Sequence, residues 1–354
     1  MTLIDRYIGT TLIRTTALVL FVLMVLFAFF SLIDQLEDTG RGSFTVYNAF
    51  EYVLLTMPRT VAELFPIAAV IGAMTTLGLF ARNSELTVIR AAGVSKLRLL
   101  AGLMKGGIVL ALVALLIAEG LAPVAEQTAQ KRRSLAVSDQ ISLDSRYGFW
   151  VRDGNSFINI RKMLPDNEFR NVFIYEFDGN NRLRTSTHAK RARYQDGQWY
   201  LFDLEQTQID ERQVDKANID KAVWQSDLNP EVINLVIVEP GQLGVMELRD
   251  YITYMENNNQ DTLRYRQALW SKFVYPFSIL VLIALAVPLV KTEAYSAAIG
   301  QRIFTGTLIG ILFHIGNQAM AHLGVVFKLN PAFSTVLPSA IVFLATLWLI
   351  RRRV

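Results

Sequence analysis

The chain has 354 residues, of which 52% are hydrophobic and only 19% are charged, so it is more apolar than an average soluble domain. Because the apolar residues form long runs separated by ordinary polar sequence, the composition predicts membrane-spanning helices plus a folded aqueous domain. The formal charge of +4 does not indicate nucleic-acid binding, since the lysines and arginines lie beside the apolar runs. The absence of cysteine excludes disulfides and thiolate metal sites.

Six apolar runs have close to the length that a helix needs to cross a bilayer, which is about 20 residues. In chain order they cover residues 11–33, 61–80, 101–122, 273–290, 303–323 and 333–350. No small-residue cleavage site follows the first run, which indicates a retained span and not a removed signal peptide. The predicted architecture is therefore three spans (1–129), an inserted domain (130–262) and three further spans (263–354).

The positive-inside rule gives the orientation of these spans. The loop over residues 82–105 carries five basic residues against Glu85 alone, and the chain ends in three arginines followed by Val354. The loop after the first span is acidic, and the loop before the last span carries Lys328 alone. We expect both termini to be cytoplasmic and the inserted domain to lie outside, in the periplasm of a Gram-negative cell.

The inserted domain has a β pattern. Strand-like runs lie at 149–151, 157–160, 172–177, 183–187, 192–194, 199–204 and 235–238. Asp-Gly pairs at 153–154, 178–179 and 196–197 supply the positive φ angles of tight hairpin turns. Many short strands at close spacing predict a sandwich, roll or barrel. From Glu247 to Met255 the period changes to that of an amphipathic helix.

Polar residues inside the spans are the first candidates for chemistry. His314, Gln318 and His322 recur every four residues in the fifth span, where hydrogen bonds to neighbouring helices are the preferred interpretation. Glu63 and Glu119 lie near the outer ends of their spans, where ion pairs with Arg59 or with the basic residues 131–133 are favoured over proton coupling. No phosphate-binding loop, zinc-protease motif or serine-hydrolase motif is present, and we expect no cofactor.

The segment from Asn83 to Gly93 predicts a short helix between two spans. Asn83 or Ser84 can cap its start, and Gly93 can end it in the left-handed conformation. Such a helix is marginal alone, so something must pack against it. The partner could be a groove on a separate ATPase, or the helix could lie on the lipid surface.

Basic residues at the outer mouth of the spans are not explained by topology. Arg59 lies there, as do Lys131, Arg132 and Arg133. They could bind an anionic ligand such as lipid phosphate, or ordinary anionic headgroups.

Several short motifs, in order along nearly the whole chain, resemble the LptF/LptG family of lipopolysaccharide export permeases, and its LptG branch more than its LptF branch. They are Leu-Ile-Asp-Arg-Tyr-Ile-Gly at 3–9, Asp-Gln-Leu at 34–36, Ala-Arg-Asn-Ser-Glu-Leu at 81–86, Ala-Ala-Gly at 91–93, Glu-Gly-Leu-Ala-Pro at 119–123, Trp-Ser-Lys at 270–272 and Asn-Gln at 317–318. Each motif is weak alone, whereas their order and spacing are specific.

The resemblance implies a transport subunit of the inner membrane, not an enzyme. It implies a heterodimer with an LptF-like permease on an LptB-like ATPase dimer, and an LptC-like single-span protein. Lipopolysaccharide would pass laterally between the first and fifth helices of the two permeases, and then through a β-jellyroll to a bridge towards the outer membrane.

The resemblance also suggests site residues. ATPase coupling would use Glu85, Leu86, Ile89 and Arg90, and lipopolysaccharide binding would use Arg59, Arg132 and Arg133. By strand alternation, the jellyroll cavity would be lined by Phe149, Phe157, Ile160, Phe173, Tyr175 and Trp199, with core packing as the alternative for each. One departure is that Ser31, Glu37 and Asp38 stand near the end of the first span, where similar chains can carry lysines.

Two other functions remain open from the sequence. A self-contained secondary transporter would need an inverted repeat and midplane charges, and the two halves show no evident symmetry. A membrane-anchored receptor or assembly protein would not need the short helix at 84–92. Co-purification with an ATPase separates the exporter from both.

Overall fold

The computed structural model describes residues 3–137, 149–164, 168–180, 182–195, 198–210, 213–224, 226, 239–289 and 299–353. Its helices are α1 (Leu3–Leu36), α2 (Val46–Arg82), α3 (Glu85–Ala91), α4 (Lys96–Leu116), α5 (Ala122–Val137), α6 (Val245–Asn257), α7 (Leu263–Leu289), α8 (Ile299–Val326) and α9 (Pro331–Arg353). A π-helical turn (Ile117–Leu121) joins α4 to α5, and a 3₁₀ turn (Pro240–Gln242) precedes α6.

The six predicted spans are confirmed. Within the described ranges, six helical segments are long and apolar enough to cross a membrane, and α4, the π turn and α5 form one of them (Leu97–Arg133). That segment has 37 residues. At 1.5 Å per residue it is about 55 Å long, well beyond the ~30 Å of a hydrocarbon core. Its α5 end therefore projects from the membrane towards the inserted domain.

Helix α2 is the centre of the helical bundle. In its most apolar stretch 72% of the residues are buried, against 6% in α1 and 11% in α8. Helix α1 crosses α4 where glycines replace side chains. A Cβ added at Gly106 would lie 2.9 Å from the Cα of Gly9. Together with Gly102, one turn earlier on α4, these residues form the small-residue contact that lets membrane helices approach closely.

Substitution of Gly106 tests this helix crossing. We expect Gly106→Ala to destabilise the bundle by about 1–3 kcal/mol, because the added methyl group meets backbone that cannot move aside. Thermal unfolding of the detergent-solubilised chain measures the effect. Gly316→Ala in α8 is the matched control, since no atom lies within 4 Å of its added Cβ. Equal melting temperatures for the two variants would contradict the close crossing.

The predicted inserted all-β domain is confirmed. Six antiparallel strands form one sheet in the order β1 (Phe149–Asp153), β2 (Ser156–Leu164), β3 (Glu168–Phe177), β4 (Leu183–Gln195), β5 (Gln198–Ile209) and β6 (Val214–Trp224). The Asp-Gly pairs at 153–154 and 178–179 occupy the β1–β2 and β3–β4 turns. The pair at 196–197 and the strand predicted at 235–238 lie outside the described residues.

Two strand predictions need correction. Residues 183–187 and 192–194, predicted as separate strands, belong to the single strand β4. Strand β6 was not predicted, because its side chains are largely exposed and include Asp215, Lys216, Asp220 and Lys221, which hide any apolar alternation. Charged side chains on the last strand of a sheet are a common protection against pairing with another chain.

The six proposed cavity residues do not share one face of the sheet. Ile160 and Trp199 belong to its buried face, which contains Val151, Ile158, Phe169, Val172, Ile174, Ala189, Ala192, Leu201 and Leu204. Phe157, Phe173 and Tyr175 lie on the opposite face, because in the ladder they alternate with Ile158, Val172 and Ile174. The backbone of Phe149 pairs with Ile160, and its side chain lies outside the description.

Truncating a side chain to alanine should cost more stability on the buried face of the sheet than on the opposite face. Trp199 is 2% exposed, so Trp199→Ala should destabilise the sheet by about 3–5 kcal/mol. Phe157 is 38% exposed and packs on Phe177 and Arg152, so Phe157→Ala should cost clearly less because it buries less apolar area than Trp199. Hydrogen exchange of the strand amides in the intact chain, followed by mass spectrometry, compares the two variants. A larger loss of protection in Phe157→Ala would reverse the assignment of faces.

Helix α6 joins the sheet to the membrane helices, as the amphipathic pattern at 247–255 predicted. Leu248, Tyr251, Ile252 and Met255 are its buried residues. The Tyr254 hydroxyl donates to the Arg152 carbonyl at 2.7 Å, and the Asn258 side chain accepts from the Gly154 amide at 2.8 Å. These bonds fix α6 to the β1–β2 hairpin. The domain limits at 130 and 262 stay a prediction, and residue 130 falls within α5.

Candidate functional site

The helix predicted near 84–92 is α3. Ser84 stands before it with φ of +61°, and its carbonyl accepts the Thr87 and Val88 amides. Gly93 has φ of +82°, the left-handed conformation expected of a residue that ends a helix. Leu86 is 4% exposed in the core of the helical bundle, which anchors α3 to the spans and leaves the outer side of α3 open.

Glu85 is held in position at the start of α3. Its Oε2 accepts the Tyr7 hydroxyl at 2.8 Å, and its Oε1 accepts the Asn83 side-chain amide at 3.0 Å. Beside it lies an open groove of about 390 Å³ between α1 and α3, lined by Leu3, Ile4, Tyr7, Asn83, Glu85, Val88 and Ile89. The groove includes two of the four proposed coupling residues. The side chain of Arg90 lies outside the described part of the chain.

Tyr7 and the start of α1 were not among the sequence candidates for this site. Nothing local to residues 3–7 indicates a binding groove, because α1 and α3 meet only in the folded bundle. The spacing of Leu3, Ile4 and Tyr7 at helical intervals was the available signal, and it is equally typical of a membrane span.

The three arginines proposed for lipid binding each contact a carboxylate. Arg59 Nε donates to Glu63 Oε1 at 2.8 Å, which confirms the predicted pairing of Glu63. Arg59 Nη1 also lies 3.6 Å from Oε1 of the buried Glu126. These contacts hold the Arg59 side chain between the next turn of α2 and the side of α5.

The acidic end of the first span has a structural explanation. Asp38 pairs with Arg41 and also with Arg133 of α5, while Arg132 pairs with Glu51 of α2. Ser43 adds two hydrogen bonds to the Ala136 carbonyl. The end of α1, the start of α2 and the end of α5 are therefore tied together by opposite charges.

A cavity of about 340 Å³ opens between α2, the π turn, α7, α8 and α9. Its apolar walls include Pro66, Ile67, Val274, Tyr275 and Phe313. Its polar residues are Arg59, Glu63, Glu119, Ser271, Lys272, Ser278, His314, Asn317 and Thr335. The structure thus brings Arg59, Glu63 and Glu119, which the sequence considered as ion-pair partners, together with His314 of the fifth span. It also adds Lys272, whose Nζ donates to Glu119 Oε1 at 2.7 Å.

The polar residues of α8 do not make the hydrogen bonds to neighbouring helices that the sequence analysis preferred. His314, Gln318 and His322 are all exposed on the surface of α8. The Nδ1 of His322 lies 3.2 Å from the Gln318 carbonyl of its own helix, and no bond from the three side chains to a neighbouring helix is found among the described residues. Gly306 and Gly310 of α8 pack against α2, and His314, one turn beyond Gly310, lines the cavity while its side chain stays exposed.

Comparisons with known proteins agree with this architecture. A family model described as lipopolysaccharide export system permease LptF/LptG matches residues 6–352. The lipopolysaccharide export system permease protein LptG of Escherichia coli strain K12 is 32% identical over 353 residues, covering 99% of this chain and 98% of the relative. The LptG protein of Haemophilus influenzae is 29% identical over 352 residues, with the same coverage of each chain.

The match extends over all six spans and the inserted β domain, so it is a property of the whole chain and not of one segment. The permease name describes a transport subunit of the membrane and not an enzyme. The chain belongs to the LptF/LptG family of lipopolysaccharide export permeases.

Proposed function

We propose that this chain is one half of a permease that an ATPase drives to lift lipopolysaccharide from the outer leaflet of the inner membrane. Its partners would be an LptF-like permease, an LptB-like ATPase dimer and an LptC-like single-span protein. The lipid would pass through the β domain to a bridge towards the outer membrane. Both termini and α3 would be cytoplasmic, and the sheet periplasmic.

The requirement for an energy source follows from the lipid itself. Each CH₂ group buried in an apolar environment contributes roughly 0.8 kcal/mol, so extracting several acyl chains costs tens of kcal/mol unless another apolar surface replaces the bilayer. The apolar face of the sheet offers such a surface, with Ile160 and Trp199 among its residues. Phe157, Phe173 and Tyr175 are not proposed for this lining, because they lie on the other face.

The exposure of the spans supports the proposed lateral opening. Helices α1 and α8 are the least buried of the six spans, and both pack on α2. In α1, the exposed apolar residues include Leu18, Phe21, Val22, Phe29 and Phe30. The first and fifth spans thus present large unpartnered surfaces to a second permease or to lipid, as the opening between two half-permeases requires.

The main observation in favour of an ATP-driven mechanism is the groove beside α3, where an ATPase could dock. The carboxylate of Glu85 is oriented by two neutral donors, Tyr7 and Asn83, which leaves its charge available to a basic group of a partner. The exposed Val88 and half-buried Ile89 offer apolar contact beside that charge. The carboxylates that a proton-coupled transporter would use, Glu63 and Glu119, are both ion-paired, which disfavours that alternative.

Co-purification with the ATPase tests the role of α3. Glu85→Ala should weaken retention of the ATPase by about tenfold, the effect of losing a hydrogen bond to a charged group. Tyr7→Phe should have a smaller effect, because it removes only the bond that orients the carboxylate. Retention is measured by quantitative immunoblotting after affinity purification. Asp220→Ala on the exposed strand β6 is the matched control, and equal retention in Glu85→Ala and this control would refute the proposal.

The proposed lipid arginines must exchange their carboxylate partners for phosphate. If Arg133 binds lipopolysaccharide, Arg133→Ala should reduce the amount of lipid retained by the purified complex, by about tenfold for one charged contact. Asp38→Asn should increase retention, because it removes the competing carboxylate. The lipid is quantified by mass spectrometry after purification in the same detergent.

The double variant Asp38→Asn/Arg133→Ala tests whether Asp38 acts through Arg133. If it does, the double variant should retain no more lipid than Arg133→Ala. Arg249→Ala on the exposed side of α6 controls for a general loss of positive charge. A gain that persists in the double variant would show that Asp38 acts without Arg133.

A further inference from the structure

The third span changes its winding at Glu119. Residues Ile117–Leu121 form a π-helical turn between α4 and α5. A π turn widens the helix by one residue, is rare, and occurs frequently at functional positions. Here it lies where the helix passes from the bundle towards the inserted domain.

The carboxylate of Glu119 joins three elements of the structure. Its Oε1 accepts the Lys272 Nζ of α7 at 2.7 Å, and its Oε2 accepts the backbone amide of Val245 at 3.0 Å. The two side chains are largely shielded, with 13% of Lys272 and 22% of Glu119 exposed. Val245 is the first residue of α6, where a negative charge interacts favourably with the helix dipole.

From Val245 the contacts continue to the sheet. Gln127 of α5 donates to Glu247 of α6 at 3.0 Å, and Tyr254 at the far end of α6 bonds to the Arg152 carbonyl of β1. The Tyr254 hydroxyl is protonated at neutral pH and can donate this bond, and burial raises its pKa further. The third span, α7 and the sheet are thus connected through α6 by a chain of direct contacts.

We infer that Glu119 is a positioning residue that transmits movement of α7 against the third span to the β domain. The inference rests on the proposed function, and it adds that the cavity between the π turn and α7 opens and closes during ATP-driven export. Ala118, Glu119, Lys272 and Gly241 all line that cavity. Because the π turn and α7 form two of its walls, a movement of α7 against the third span changes the distance across Glu119 and Lys272, and Glu119 carries this change to the amino end of α6.

The two bonds of Glu119 can be separated by substitution. Glu119→Gln keeps an oxygen for the Val245 amide but loses the charge that pairs with Lys272. The charge exchange Glu119→Lys/Lys272→Glu restores an ion pair between the helices, but a lysine cannot accept a hydrogen bond from Val245. An ion pair that only stabilises the bundle predicts full recovery in the exchange variant, whereas a positioning role does not.

The experiment uses the complete complex reconstituted in vesicles that contain lipopolysaccharide. It measures melting temperature, ATP hydrolysis and the amount of lipopolysaccharide delivered per ATP hydrolysed. We expect Glu119→Gln to hydrolyse ATP but to deliver about tenfold less lipid per ATP, as for the loss of one bond to a charged group. The exchange variant should recover the melting temperature but not this ratio.

A distance measurement supplies a second readout. Because the chain has no cysteine, Met246→Cys in α6 and Val124→Cys in α5, both at exposed positions, can carry spin labels directly. We expect one narrow distance distribution in the parent chain and a broad one in both Glu119 variants. Glu168→Gln, which breaks an ion pair with Arg193 within the sheet, is the matched control and should leave distance and ratio unchanged.

Three results would overturn the inference: an unchanged ratio in Glu119→Gln, full recovery of the ratio in the exchange variant, or an unchanged distance distribution in both. Failure of the proposed function has a different signature. In that case the parent chain itself would retain no ATPase, or would deliver no lipopolysaccharide on ATP hydrolysis.

Discussion

The compensation of charge next to hydrocarbon is the constraint on which this structure depends. An isolated charge in or near the bilayer core is costly, so each must find an opposite charge or a backbone partner. Asp5 pairs with Lys105 between α1 and α4, and the side chain of Arg302 donates to the Gly78 carbonyl of α2. At the other end, Glu119 pairs with Lys272. Each of these contacts joins helices that are distant in sequence.

The same constraint shapes the sites at the two ends of the bundle. At the α3 end, Glu85 is oriented by the uncharged donors Tyr7 and Asn83, which leaves its charge available to the partner proposed above. At the end nearer the sheet, Arg133 is paired with Asp38, so in the proposed function an anionic lipid would have to replace that carboxylate in order to bind. Such an exchange would cost little if the incoming phosphate offered equivalent hydrogen bonds.

Sequence patterns predicted the elements whose periodicity is undisturbed. The six apolar runs, the short helix before Gly93 and the amphipathic face of α6 are all local properties, and all were found. Strand β6 was missed because an edge strand with charged side chains lacks apolar alternation. The distribution of the proposed cavity residues over two faces has a related reason. Alternation shows that two faces exist, but without the register of neighbouring strands it does not assign Phe157 and Ile160 to opposite sides.

The sequence by itself determined the six spans, the inserted β domain and the family, because these follow from runs, periods and motif order along the chain. Only the tertiary structure decided which charges meet. Lys272 and Glu119 are separated by 153 positions, and Tyr7 and Glu85 by 78. Contacts at such separations depend on how helices cross, and crossing is set by small residues such as Gly9 and Gly106 and not by the local pattern around either partner.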